Sequence, residues 1–292
     1  MTKNAPRGNY EIDVEDVEYR RDGATALLAR LYRPKGSGPF PVMVDLHGGA
    51  WCTGDRNNDT KINEALARSG VVVAALDWRM PPVASYPGSL QDIHYAIRWL
   101  KVRAPQMKAR ADRVGVIGIS SGGHQGMLLA MRHKDKRYAA IPLPGADGID
   151  ARLQCAVLCW PVIDPIGRYR YAKEVQAKGG SYPEEIDRVL PSHVAYWQTE
   201  EAMAEGAPAT ALEAGEDVDL PPTLVVQGTA DKMHPRPHLD RFAAAYRARG
   251  GAIEVALYEG EAAGFIVRNT KDPANAAAGL ERIVAFVHRT LA

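Results

Sequence analysis

Short apolar runs rich in β-branched residues recur along the chain, separated by stretches whose apolar positions return every three or four residues. Runs that are apolar at nearly every position suit strands covered on both faces, and the 3.6-residue period suits amphipathic helices. The pattern predicts strands over 14–20, 24–33, 42–46, 71–76, 114–119, 155–160, 223–227 and 253–258. Helices are predicted over 57–68, 89–102, 121–132, 237–249 and 273–291. The central strands are continuous in apolar character, as in a parallel sheet. The first two are polar and alternating, which predicts an antiparallel edge hairpin turning at Asp22-Gly23. Strands alternating with helices specify an α/β fold.

One segment breaks this rhythm. Residues 161–220 hold no strand pattern but carry Tyr169, Tyr171, Tyr182, Tyr196 and Trp197 among helical stretches. Such a length is too great for a plain connection. It predicts a helical lid inserted within a single domain, residues 1–292, over the carboxyl edge of the sheet.

Composition narrows the picture little. The 292 residues include 36 Lys plus Arg against 35 Asp plus Glu, so no strong field favours nucleic acid or an acidic membrane. The polar stretch from Met1 to Tyr10 has no apolar core of a signal peptide, and the apolar runs are short for a bilayer. A cytoplasmic protein is expected. Cys155 and Cys159, at i and i+4 of a strand, would face the same way about 13 Å apart, too far for a disulfide. They read as buried small hydrophobes, and no Cys/His spacing suggests a metal site.

The chemistry concentrates at strand ends. Gly118-Ile119-Ser120-Ser121-Gly122 stands between a buried strand and a helix, where flanking glycines allow a sharp turn that exposes the serine. His47-Gly48-Gly49-Ala50-Trp51 follows another strand, and its small residues let the N–H groups of Gly49 and Ala50, with that of Ser121, converge on a developing oxyanion. His47 is expected to orient this loop. Asp231 lies just after the strand over 223–227, where a carboxylate can hold an imidazole.

Together these pieces resemble the α/β-hydrolase fold, and within it the esterase and lipase branch related to hormone-sensitive lipase. The resemblance rests on His47-Gly-Gly-Ala-Trp51, Asp77-Trp-Arg79 with Tyr86-Pro87, Gly118-Ile-Ser-Ser-Gly-Gly123, Gly228-Thr-Ala-Asp231 and Tyr258-Glu-Gly-Glu-Ala-Ala-Gly-Phe265, in the family's order. It implies a mostly parallel eight-stranded sheet, Ser120 as nucleophile, Asp231 as acid, and Gly49, Ala50 and Ser121 as oxyanion hole. It also implies a histidine immediately before Gly264-Phe265, where this chain has Ala263. Alanine accepts no proton, so a hydrolase disabled by a His-to-Ala replacement is expected, with turnover lower by roughly 10⁶-fold as in a comparable triad. The alternative is a natural small-molecule binder without catalysis.

No other histidine is expected to substitute. His234 and His238 follow Asp231 and would approach from the wrong side, His124 would pack behind the elbow, His193 lies in the lid and His288 in the last helix. The expected substrate is a small or aromatic ester or amide, with Trp51, Trp78, Tyr169, Tyr196 and Trp197 as pocket candidates. Arg168 and Arg170 could meet an anionic group, although a solvated charged face is the plainer reading. No organic cofactor or metal is implied, and a homodimer is one possible assembly.

Overall fold

The computed structural model describes residues 8–268 and 270–291. Residues 1–7, which carry most of the stretch read as having no signal peptide, lie outside them. β1 (Ile12–Asp22) and β2 (Thr25–Pro34) form the expected hairpin, with Asp22 opposite Thr25 and Gly23 at a φ of 57°. Such a φ favours glycine, which has no Cβ to clash.

Next come β3 (Phe40–Leu46), β4 (Val72–Leu76), β5 (Ala109–Ile119), β6 (Ala156–Cys159), β7 (Thr223–Gly228) and β8 (Ile253–Tyr258). They build one eight-stranded sheet in the order β1-β2-β4-β3-β5-β6-β7-β8. Pairing is antiparallel from β1 to β4 and parallel from β4 to β8. The sheet is thus the mostly parallel, eight-stranded one of an α/β-hydrolase. β5 starts five residues before the expected 114, because polar 109–113 has no apolar run to mark it.

Side chains alternate between two cores, as a period of two requires. On one face Val42, Val44 and Leu46 pack with α2 (Gly88–Arg103), α3 (Ser121–Arg132) and α8 (Arg236–Ala248). On the other, Met43, Cys155, Val157 and Cys159 pack with α1 (Thr60–Arg68) and α9 (Pro273–Leu291). Cys155, just before β6, and Cys159 are buried free thiols. Four helices separate β6 from β7: α4 (Pro165–Lys178), α5 (Glu185–Trp197), α6 (Glu200–Glu205) and α7 (Pro208–Glu213). Among the described residues no helix is long and apolar enough to cross a membrane.

A buried ion cluster fastens the hairpin to the sheet. Asp92 on α2 takes Arg79 through Nε at 2.8 Å and Nη2 at 3.0 Å, and also receives Arg20 of β1. Nearby, Trp78 stacks on His47 with ring centroids 3.9 Å apart, which links the Asp77-Trp-Arg79 motif to the glycine loop.

Candidate active site

β5 ends at Ile119 and α3 begins at Ser121, so Ser120 must turn the chain within one residue. It does so at φ 53° and ψ −112°, a strained conformation for a residue with a side chain. Close approach explains the glycines: a Cβ on Gly122 would stand 2.0 Å from the Leu46 carbonyl oxygen, and one on Gly118 would stand 2.4 Å from that of Gly122. The serine is therefore pushed up at the carboxyl edge.

The loop after β3 is equally constrained. Gly49, Ala50 and Trp51 have φ of 118°, 51° and 63°, and a Cβ on Gly49 would meet the Thr53 carbonyl oxygen at 1.8 Å. Gly48 lies against Ser120, whose Cβ is 3.4 Å from a Cβ built on that glycine. Among the described residues no acceptor takes the N–H of Gly49 or Ala50. His47, buried and stacked on Trp78, donates from Nδ1 to the Gly48 carbonyl at 2.7 Å. Burial lowers its pKa, which keeps the ring neutral as a loop brace.

The loop after β7 brings a histidine to Ser120. Asp231 Oδ1 accepts the N–H groups of Met233 (2.8 Å) and His234 (3.0 Å), folding a tight turn. That turn brings His234 Nδ1 to 2.9 Å from Asp231 Oδ2, and places His234 Nε2 3.0 Å from Ser120 Oγ. Gln227 holds the turn by donating to the His234 carbonyl at 2.7 Å. The Asp231 and His234 side chains are 0% and 5% exposed. With Nδ1–H donating to the carboxylate, Nε2 is free to accept the serine proton.

This corrects the expectation that no histidine reaches Ser120. His234 does not approach from the wrong side, because the Asp231 carboxylate caps the turn and swings residue 234 back over the sheet edge. The sequence signal was present in Asp231-Lys-Met-His234, but its reach depends on turn geometry. Of the other histidines weighed, His124 bonds the Gly206 carbonyl (2.7 Å), His193 that of Val189 (2.8 Å) and His288 Ser69 Oγ (3.0 Å), while His238 lines the adjoining recess and not the Ser120 cavity.

Ser120 and His234 open into a cavity of about 280 Å³, lined also by Gly48, Gly49, Ala50 and Ala263. Ala263 thus faces the site without taking part in its hydrogen bonds. Ser121 is buried beneath. None of the five aromatic pocket candidates lines this cavity; Trp160 does. Trp51, Tyr196 and Trp197 instead form a buried cluster behind the glycine loop, with Trp51 stacked on Tyr196 at 5.4 Å. Tyr169 packs at its margin and Trp78 lies under His47. Large rings at helical spacing bury themselves for area, and sequence alone does not say against what.

A family model described as BD-FAE matches residues 30–245, about three quarters of the chain. The chain belongs to the BD-FAE family. The match spans β3, the serine elbow and the Asp231–His234 turn. The probable carboxylic ester hydrolase LipM of Mycobacterium tuberculosis is 26% identical over 75% of this chain and 48% of its own length. Esterase LipC of the same organism is 25% identical over 82% of this chain and 57% of its own. The chain therefore spans about half the length of these curated relatives. The structure of the thermostable carboxylesterase EstE1, cloned from a metagenomic library, superposes with a TM-score of 0.76 at 23% identity, covering 97% of this chain and 91% of that one. This BD-FAE member shares its fold.

Proposed function

We propose that this chain hydrolyses small carboxylic esters through an acyl-enzyme on Ser120, with His234 as general base, Asp231 as its acid partner, and the N–H groups of Gly49, Ala50 and Ser121 as oxyanion hole. One observation carries the reading: a continuous Ser120–His234–Asp231 hydrogen-bond relay at 3.0 and 2.9 Å, opening into a cavity rimmed by free N–H groups. The esterase names of the curated relatives agree with it.

The chemistry follows from the relay. Ser120 Oγ attacks the ester carbonyl as its proton passes to His234 Nε2, and the carbonyl oxygen takes the negative charge. The N–H donors stabilise that charge, which exists only along the reaction path and so lowers the barrier itself. The Asp231 carboxylate offsets the positive imidazolium. Nε2–H then protonates the leaving alkoxide as the ester C–O bond breaks. Water repeats the sequence on the acyl-enzyme, and the acid leaves. An amide follows the same route with an amine as leaving group. Helices α4 and α5 act as a lid, contributing Arg168, Glu185 and Val189 to the cavity wall, and its modest volume favours short substrates over long lipid chains.

The test is turnover of 4-nitrophenyl acetate and butyrate by the chain and by Ser120→Ala, with an organophosphate label located by mass spectrometry. Turnover and a label on Ser120, both lost in Ser120→Ala, are expected. A chain that neither turns over nor takes the label overturns the proposal and points to a binding protein instead.

A further inference from the structure

Arg168 sits in the first turns of α4; from sequence, it and Arg170 could meet an anionic group, with a solvated charged face as the plainer reading. Arg170 fits that reading, exposed and paired with Glu200 at 3.0 Å. Arg168 does not: it is 2% exposed. Its guanidinium lies over the Trp51 ring, 5.3 Å from the centroid, and its Nε donates to His193 Nε2 at 3.4 Å. Burial keeps that imidazole neutral, so this partner offers no charge. Nη2 is buried with no hydrogen-bond partner.

No carboxylate stands within ion-pair distance of Arg168 among the described residues. The nearest acids are committed. Asp164 accepts from Gly167 N and pairs with Arg241 at 3.1 Å, and both oxygens of Asp231 hold the His234 turn. A buried guanidinium without an anion is costly, and the lowering of its pKa to about 9, caused by burial and then by Arg188, reflects that. Protein interiors rarely leave such a charge unpaired unless something else supplies the partner.

The position of Arg168 says where that partner would sit. It lines the cavity that holds Ser120 and His234, and it also lines the small adjoining recess beside His234. Two further cations, Arg188 and Arg268, line the same cavity, and neither forms an ion pair among the described residues. Glu185 is the one carboxylate on that wall. Three guanidiniums and one acid line the cavity itself, with the Asp231 carboxylate behind His234, and guanidinium forks match carboxylates in two-point hydrogen bonds.

We infer that the substrate carries a second, ionised carboxylate beside the scissile ester, and that Arg168, supported by Arg188 and Arg268, recognises it. The inference rests on the esterase reading and narrows it to half-esters of dicarboxylic acids or esters of carboxylate-bearing alcohols and phenols.

Two matched pairs test it: mono-4-nitrophenyl succinate against 4-nitrophenyl butyrate, for an anion on the acyl side, and 3-acetoxybenzoate against phenyl acetate, for one on the leaving group. In at least one pair the anionic ester should have a kcat/KM at least ten-fold above its neutral partner. Arg168→Met should bring that ratio near one, with the larger loss falling on the anionic ester. Arg188→Gln and Arg268→Gln, at exposed positions, should each lower the ratio by about three-fold, and they carry the test if Arg168→Met does not fold. A merely structural Arg168 would change both members of a pair alike. Good turnover of neutral esters with no anionic preference in either pair overturns the inference and leaves the esterase reading standing. If no ester turns over, glutarate binding by calorimetry decides. Saturable binding weakened in Arg268→Gln sustains the anion site while the esterase reading falls, and no binding overturns both.

Discussion

The assignment of the base to residue 234 rather than 263 is open to a direct test. His234→Ala deletes the acceptor 3.0 Å from Ser120 Oγ and the donor 2.9 Å from Asp231 Oδ2. No second imidazole lines the cavity to replace it. Loss of the base in a triad of this kind lowers kcat by about 10⁴- to 10⁶-fold, a barrier increase of roughly 5–8 kcal/mol. Asp231 Oδ1 takes the backbone N–H groups of Met233 and residue 234, bonds that survive the truncation. The turn should therefore persist, and KM should stay within a few fold. Ala263→His supplies the complementary perturbation, because residue 263 lines the same cavity. If His234 is the base, an added imidazole there supplies no missing function, and kcat should not rise. The assay is initial rates on 4-nitrophenyl butyrate, normalised by titration of active serines, for both single variants and the double variant. A rise of a hundred-fold or more in Ala263→His, with less than a ten-fold loss in His234→Ala, would refute the reasoning. It would restore the reading of a hydrolase disabled at position 263.

Three further perturbations probe the frame around the site. Asp92→Ala leaves Arg79 and Arg20 without their shared, fully buried carboxylate; a stability loss of about 3–5 kcal/mol is expected from urea unfolding, and a shift below 1 kcal/mol would contradict it. Gly49→Ala forces a Cβ to 1.8 Å from the Thr53 carbonyl oxygen. It should lower kcat by about 10²- to 10³-fold with KM little changed, as for loss of an oxyanion donor, and unaltered kcat would remove Gly49 from that role. Asp45 and Asp59 are buried close together on the α1 face, and burial raises the pKa of each, with Asp45 also raising Asp59. The native state then holds protons that the unfolded chain has released. The pair's contribution is therefore present below the ordinary carboxylate value of 3.8 and falls as pH rises, by about 1.4 kcal/mol per pH unit per excess proton. Asp45→Asn should gain stability over the parent between pH 4 and 7 and show no such gain below pH 4; a difference independent of pH would refute the sign.

What could be read from sequence divides along physical lines. Strands β3 to β7 were legible because a sheet covered on both faces demands nearly unbroken apolar runs. The Ser120 elbow and the Gly49 loop were legible because close backbone approach tolerates only glycine, which leaves a fixed mark. Burial of particular side chains was not. Trp51, Tyr196 and Trp197 were read as pocket walls and are core, because a ring's apolar area is satisfied equally by either. For Arg168 the solvated face was the plainer of two readings because a charge usually is solvated, and its burial depends on how α4 lies over the glycine loop. His234 was missed for a third reason. Its three-residue separation from Asp231 permits many directions, and only the Asp231 carboxylate capping its own turn selects one.

The sheet relates the base proposed at 234 to the one that the resemblance implies at 263. β7 and β8 are parallel neighbours with Gly228 opposite Tyr258, so the loops that follow them leave the same edge side by side. They are tied there by Thr229 N–H to the Tyr258 carbonyl (2.9 Å), Ala230 N–H to that of Glu261 (2.9 Å) and Gly260 N–H to Thr229 Oγ1 (2.8 Å). An imidazole from either loop can thus meet the one point set by the strained serine. Taking it from the β7 loop has a consequence for specificity. Acid and base then belong to one four-residue turn, whose alignment no longer depends on the loop after β8. That loop, braced by the buried Glu261 carboxylate, is released from the relay and contributes Ala263, Gly264 and Arg268 to the cavity wall. Under the proposed assignment, the position that the resemblance reserves for the base is a small residue lining the same cavity as Arg268, which leaves room there for the anionic ester inferred above.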